Sequence, residues 1–296
     1  MKTMKKISPR FLALTVLTLL ALAQRAKAQD APDTANFDNT PVAGPIVDNN
    51  GTAFQTGGAG TWAIVDGSGN LPTQNLQNTS GSGDSFVAMR YGNLASGTET
   101  GFTESTDFIY SAVTTSGSSF TNVGLGADTY NSIYYGNGTL AQFVIGSTDT
   151  TDAGETTGNL IISTDSGYGT RTTLAYATSG LTPTIGDKYT LTLTGIYDYS
   201  GANPNLNLYV SITDDTTGTS SALLTTTLAD APAAAGLYGI ADSSSGSSTA
   251  TVNFDNYSID LATEAPVPEP SSWMLLGLGL AAISMRLRRT ALNRIG

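Results

Sequence analysis

Residues Lys188 to Asp215 read KYTLTLTGIYDYSGANPNLNLYVSITDD, and this stretch decides the fold class. In its first half Tyr189, Leu191 and Leu193 alternate with Thr190, Thr192 and Thr194. That is the two-residue period of a half-buried strand, because successive side chains of an extended chain point to opposite faces. The second half repeats it, with Leu206, Leu208, Val210 and Ile212 set against Asn205, Asn207, Tyr209 and Ser211. DYSGANP between them is made of turn residues, so the pair predicts an antiparallel hairpin with one oily face.

Outward from the hairpin the same signature recurs at SFVAMRY, TDFIYSAV, FTNVGLG, NSIYY, LAQFVIGS, NLIISTD, TRTTLAYAT, SALLTTTLA, GLYGIA and ATVNFDNYSIDL. No stretch of the body shows a helical period. So many short strands, separated by Gly, Ser, Thr and Asn clusters, predict an all-β antiparallel β-sandwich or jelly roll. A β-helix or propeller would need a repeat of roughly 20–50 residues, and none persists. NFDN occurs at Asn36 to Asn39 and again at Asn253 to Asn256, as it would if the first and last strands lay side by side.

Composition removes whole classes of chemistry. Cysteine is absent, which excludes disulfides, thiol nucleophiles and thiolate metal sites. Histidine is absent as well, which removes the usual general base, zinc ligand and pH switch. Between residues 29 and 265 only Arg90, Arg171 and Lys188 are basic, against 23 carboxylates. A body with a net charge near −20 repels phosphate backbones, so no nucleic-acid partner is expected.

Both ends differ from the body. Lys2, Lys5, Lys6 and Arg10 precede the apolar run Phe11 to Ala23, followed by Ala26-Lys27-Ala28 before Gln29. This is the layout of a secretory signal peptide over residues 1–28, cut by signal peptidase between Ala28 and Gln29. A β-sandwich ectodomain is expected over 29–265. Residues 266–296 contain Val267-Pro268-Glu269-Pro270, then an uncharged run from Trp273 to Met285, then Arg286, Arg288 and Arg289. The flanking prolines make Val267 to Pro270 a stiff, extended peptide suited to a protease cleft.

The fifteen residues Ser271 to Met285 rise about 22 Å as a helix, short of the roughly 30 Å hydrocarbon core. Trp273 at one interface and the three arginines snorkelling at the other make a short transmembrane helix feasible. Because positive charge stays on the cytoplasmic side, the Pro-Glu-Pro turn faces the compartment to which the signal peptide sends the body.

The order of Pro-Glu-Pro, apolar segment, arginine cluster and chain end resembles the PEP-CTERM sorting signal of exported bacterial proteins. The resemblance implies recognition of Val267 to Pro270 by an exosortase, a membrane cysteine protease-transpeptidase. It also implies anchoring in the inner membrane before processing, then release to the cell surface or extracellular matrix in an exopolysaccharide setting. The spacing of GDKYTLTLTGIYD, LNLYVSITD, GLYGIA and VNFDNYSID resembles the last third of concanavalin A-like lectin/glucanase sandwiches, including laminin-G-like bacterial domains, over residues 36 to 261.

Candidate chemistry in the body is thin. Glu99, Glu104 and Asp107 in TETGFTESTDF supply acids for glycoside hydrolysis, but Glu99 and Glu104 fall on opposite faces of a straight strand, and a solvated acidic loop is expected. Asp149, Asp152 and Glu155, or Asp38 with Asp255, offer oxygen ligands for calcium; no other cofactor is implied. Tyr91, Tyr110, Tyr130, Tyr134, Tyr135, Tyr176, Tyr197 and Tyr199 could stack on sugar rings if several shared one face. Two readings follow: a non-enzymatic structural or glycan-binding surface protein, or a secreted carbohydrate-active enzyme on the same fold.

Overall fold

The computed structural model describes residues 33–35, 37, 55–58, 60–67, 71, 74–80, 83–90, 101–127, 137–166, 171–201, 203–231 and 237–262. The chain divides into two compact units, Met1–Glu264 and Ala265–Gly296. All described elements belong to the first.

Sixteen strands are present among its described residues. Strands β1 (Asp33–Ala35), β2 (Gln55–Gly58), β3 (Thr61–Val65), β4 (Asn75–Ser80) and β5 (Gly83–Arg90) open the unit. The long β6 (Gly101–Thr114) is followed by β7 (Phe120–Ala127), β8 (Asn137–Ser147), β9 (Asn159–Ser166) and β10 (Arg171–Thr178). Then come the hairpin β11 (Lys188–Asp198) and β12 (Asn205–Asp214), the short β13 (Thr219–Ser220), β14 (Leu224–Leu228), β15 (Leu237–Ser244) and β16 (Thr249–Leu261). Among the described residues the single helical element is a 3-10 turn at Ala153–Glu155.

Two sheets result, and every pairing between described strands is antiparallel. One runs β13-β12-β11-β6-β16-β4-β3, with β1 also paired to β16 and β14 to β12; the other runs β10-β9-β8-β7-β15-β5-β2. The predicted hairpin is there in register, Leu191 opposite Ile212 and Leu193 opposite Val210. Strict alternation follows along β12, where all five even-numbered side chains are buried. First and last strands do lie together, Asp33 opposite Ile259 and Ala35 opposite Tyr257.

Among the described residues a single hydrophobic cluster joins the sheets into a sandwich. Phe102, Phe108, Leu193, Leu208, Val210 and Phe254 from one sheet meet Val123, Leu125, Phe143, Ile162 and Ile240 from the other. Aromatic rings bridge the gap, with Phe102 and Tyr238 centroids 5.0 Å apart and Phe143 and Tyr189 5.8 Å apart. Each fully buried leucine or phenylalanine stabilises the folded state by about 1.5–3 kcal/mol relative to exposure. Glycine makes one of these contacts possible: a Cβ on Gly195 would strike the ring of Phe102 in its register partner β6.

Strand β16 is irregular at two points against β6, between Thr251 and Val252 and between Asp255 and Ser258. The second is the sharper, a bulge in which Asn256 adopts φ 49°. Asparagine tolerates this left-handed conformation better than most residues.

Candidate functional site

Strand β6 carries the two acids of interest, and its alternation sends them opposite ways. Phe102, Phe108 and Tyr110 belong to the core between the sheets, and Glu104, an even number of residues away from each, shares their face. Glu104 is wholly buried. The Tyr257 hydroxyl donates to its Oε2 at 3.0 Å, while Oε1 has no hydrogen-bond partner among the described residues. Burial holds the Glu104 carboxyl well above its ordinary value; the Tyr257 hydroxyl and the Gly239 backbone, which favour the anion, offset only part of that. Glu104 is therefore biased toward the neutral acid.

Asp107 lies on the other face. Its Oδ2 sits 2.7 Å from Lys188 Nζ and accepts from Asn256 Nδ2 at 2.9 Å. The Thr190 hydroxyl lies within reach of two carboxylates, Asp107 Oδ1 at 2.6 Å and Asp215 Oδ2 at 2.8 Å, and its one proton serves them in turn. Asp215 completes the group at 3.6 Å from Lys188 Nζ.

The expected solvated acidic loop is thus corrected. Residues 101–114 form a strand, with Glu104 fully buried and Asp107 nearly so. The physical reason is the surrounding GFTESTDFIY, whose phenylalanines and tyrosine fix the pleat and carry the acids with them. Because Glu104 and Asp107 stand on opposite faces of one sheet, they cannot flank a common glycosidic bond. Glu99 lies outside the described residues.

Around Asp107 the outward face of the nine-stranded sheet is a ladder of hydroxyls and amides. Thr103 and Thr194 share a hydrogen bond of 2.9 Å, and Ser105 and Ser258 one of 2.8 Å. Farther out, Thr227 donates to Asn207 at 2.8 Å, and Gln77 donates to Asn253 at 2.9 Å. Nothing in the strand composition singled out these pairs, although the alternating threonines of KYTLTLT were their visible signal.

Among the described residues Asp149, Asp152 and Glu155 form no metal-holding group. Asp149 Oδ1 accepts from the backbone and hydroxyl of Thr151 at 2.7 and 2.6 Å, and Asp152 Oδ1 caps Gly154 N–H at 2.8 Å. These carboxylates are spent on closing turns, and among the described residues no group of three acids could hold a metal ion. Half-buried Glu155 is pushed up to about 7, by burial first and then by the charge of Asp152, with Arg171 opposing. Asp255 is buried at 4% exposure, and Asp38 lies outside the described residues.

Nor do the described tyrosines form one platform. Tyr110 is buried and stacked against Tyr189 at 6.4 Å, which the core accounts for. Tyr199, 46% exposed, stacks on the buried Tyr197 at 5.8 Å where β11 ends, and Tyr176, 49% exposed, belongs to β10 in the opposite sheet. Tyr91, Tyr130, Tyr134 and Tyr135 lie outside the described residues. Sequence reasoning missed Tyr257, the partner of Glu104, because alternation from the inward Val252 and Phe254 points it outward, and only the bulge in β16 turns it inward.

The terminal predictions, Ala26, Ala28 and Gln29 at one end and Val267 to Pro270, Trp273, Arg286, Arg288 and Arg289 at the other, also lie outside the described residues, as does the hydrophobic C-terminal helix. Among the described residues no helix is long and apolar enough to cross a membrane.

Residues 266–289 match the PEP-CTERM protein-sorting motif. The PEP-CTERM match spans the Pro-Glu-Pro turn, the apolar run and the arginines, and it implies an exported protein anchored in the membrane before processing. No curated protein matches the chain. Similar solved structures include the metal-free VIP36 exoplasmic/lumenal domain, at 12% identity and TM-score 0.45, covering 79% of this chain and 93% of that one. They also include metal-free lectin I-B4 from Griffonia simplicifolia, at 10% identity and TM-score 0.37 over 70% and 92%, and the binding domain of botulinum neurotoxin serotype C1, at 13% and 0.40 over 80% and 50%. At such values the overlap carries no inference about ligand or metal.

Proposed function

We propose that this chain is a bacterial surface or extracellular-matrix protein sorted by an exosortase at Val267-Pro268-Glu269-Pro270, its β-sandwich left outside the cell in an exopolysaccharide setting. The observation that carries the reading is the PEP-CTERM match at the chain's end. Its order is mechanically sensible: a stiff turn that a protease can grip, an apolar segment that holds the substrate at the membrane, and arginines that fix which side the turn faces. Signal peptidase acts at the other end, and the apolar tail is removed with the arginines.

The body's role in this reading is structural or glycan-binding and not catalytic. An outward sheet face built from Thr, Ser, Asn and Gln offers donors and acceptors to neutral hydroxylated polymers, and the strongly negative body disfavours anionic ones. No histidine or cysteine is available as base or nucleophile.

Replacing Glu269 by Ala together with both flanking prolines is expected to leave the full-length chain in the inner membrane. Processing and release of that variant at the wild-type rate would refute the sorting reading. For the body, the mature protein on a glycan array, with calcium and with a chelator, is expected to bind neutral glycans; a blank array in both conditions would leave the structural role and remove the glycan-binding one.

A further inference from the structure

Three side chains from three strands converge on one oxygen atom. Asp107 Oδ2 on β6 lies 2.7 Å from Lys188 Nζ of β11 and 2.9 Å from Asn256 Nδ2 of β16. Strand β6 runs between the other two, so an amine and a carboxamide approach the same carboxylate from opposite sides. The bulge between Asp255 and Ser258 places Asn256 where its carboxamide reaches β6. Asp107 is the most sheltered of these three ion-paired groups, its side chain 12% exposed against 27% for Lys188 and 30% for Asp215.

We propose that Lys188 and Asn256 join in an intramolecular isopeptide bond, with Asp107 carrying the protons. Asp107 first takes a proton from the Lys188 ammonium. The freed Nζ lone pair then attacks Asn256 Cγ, and the protonated Asp107 stabilises the oxygen that becomes negative in the tetrahedral stage. Collapse breaks the Cγ–Nδ2 bond as one Nζ proton passes to Nδ2, which departs as ammonia and takes up the proton held by Asp107 to leave as ammonium. An ammonium side chain and a carboxamide become a secondary amide and an ammonium ion, with no oxidant, reductant or cofactor required.

The surroundings set the rate. Burial alone pulls the Lys188 pKa down, but the hydrogen bond and charge of Asp107 and the charge of Asp215 outweigh it, so the amine stands above its ordinary value. The charged groups facing it are Asp107 on β6 and Asp215 just after β12, with Asp255 paired to Asp107 on β16. Bond formation therefore proceeds from the minor neutral amine and quickens as pH rises. It is a slow event that happens once in the life of each molecule.

The consequence is mechanical. A tie between residues 188 and 256 bolts β11 to β16 across β6 and closes a long loop, which limits the unfolded chain as a disulfide does. This chain has no cysteine with which to make one.

The test is mass spectrometry of the purified full chain, aged at mildly alkaline pH and digested under denaturing conditions. Between Arg171 and Arg286 the one basic residue is Lys188, so trypsin ordinarily separates it from Asn256. The expected result is an intact mass lower by one ammonia and loss of cleavage after Lys188, both abolished in Lys188→Arg, which keeps the positive charge, and in Asp107→Ala. Full mass with normal cleavage overturns the proposal. So does ammonia loss with Lys188 still cleaved, which marks a succinimide at Asn256, and so does loss of water, which marks an amide from Lys188 to a carboxylate.

Discussion

Strands β11 and β6 are neighbours in one sheet and obey the same alternation, yet they fill their inward positions differently. On β11 the inward residues Tyr189, Leu191 and Leu193 are all apolar or aromatic and fully buried. On β6, directly opposite Leu193, the inward residue is Glu104. The pleat dictates where a side chain points whatever its chemistry, and the energetics then act on what is there. Burying Leu193 stabilises the fold. Burying Glu104 costs solvation, which the molecule limits by favouring the uncharged acid beside Tyr257.

The sharpest way to break this contrast is to hollow out the apolar side. Leu193→Ala is expected to lose about 2–5 kcal/mol of stability in urea unfolding, through lost transfer energy and a cavity beside Glu104. A loss under about 1 kcal/mol would mean that the site collapses freely and that β11 is not the firm partner. Next in size is Gly195→Ala, which drives a methyl into the Phe102 ring and is expected to cost about 1–3 kcal/mol. Wild-type stability there would show the two strands to be looser than their register implies.

A smaller and pH-dependent effect probes the other strand. Because the folded-state pKa of Glu104 is raised, the folded form holds its proton longer than the unfolded one. Stability from this group is fully present below the ordinary glutamate value and declines as pH climbs toward the raised one, at no more than about 1.4 kcal/mol per pH unit. Glu104→Gln keeps a neutral side chain, so its difference in stability from wild type should shift in its favour across that window. Parallel pH profiles for the two proteins would contradict a buried, proton-retaining Glu104. Smallest of all, Thr213→Val on the outward face, where Thr213 bonds Ser220 at 2.9 Å, is expected to stay within about 0.5 kcal/mol of wild type.

The hairpin was legible from Lys188 to Asp215 because its alternation is unbroken and its turn residues are explicit. Strands β2, β3 and β4 were not, being short and drawn from QTGG, TWAIV and NLQNTS, which have little alternation to show. The inward Glu104 was hidden for a different reason: acids in a Thr- and Ser-rich segment look solvated until the flanking Phe102 and Phe108 are seen to set the pleat. Lys188, Asp107 and Asn256 stand far apart in sequence and meet only through the order of β11, β6 and β16, which no local pattern carries. The tail shows the reverse case. A linear signal read by a membrane protease needs no partner brought from elsewhere in the chain, so Val267 to Arg289 could be read directly, and the family match covers that stretch.

The most direct test of the sorting account is the C-terminal peptide of the protein recovered from outside the cell. The account predicts that this peptide ends at or just after Pro270, with Trp273 and the arginines missing. Extracellular protein that still carries Trp273 through Arg289 would contradict it.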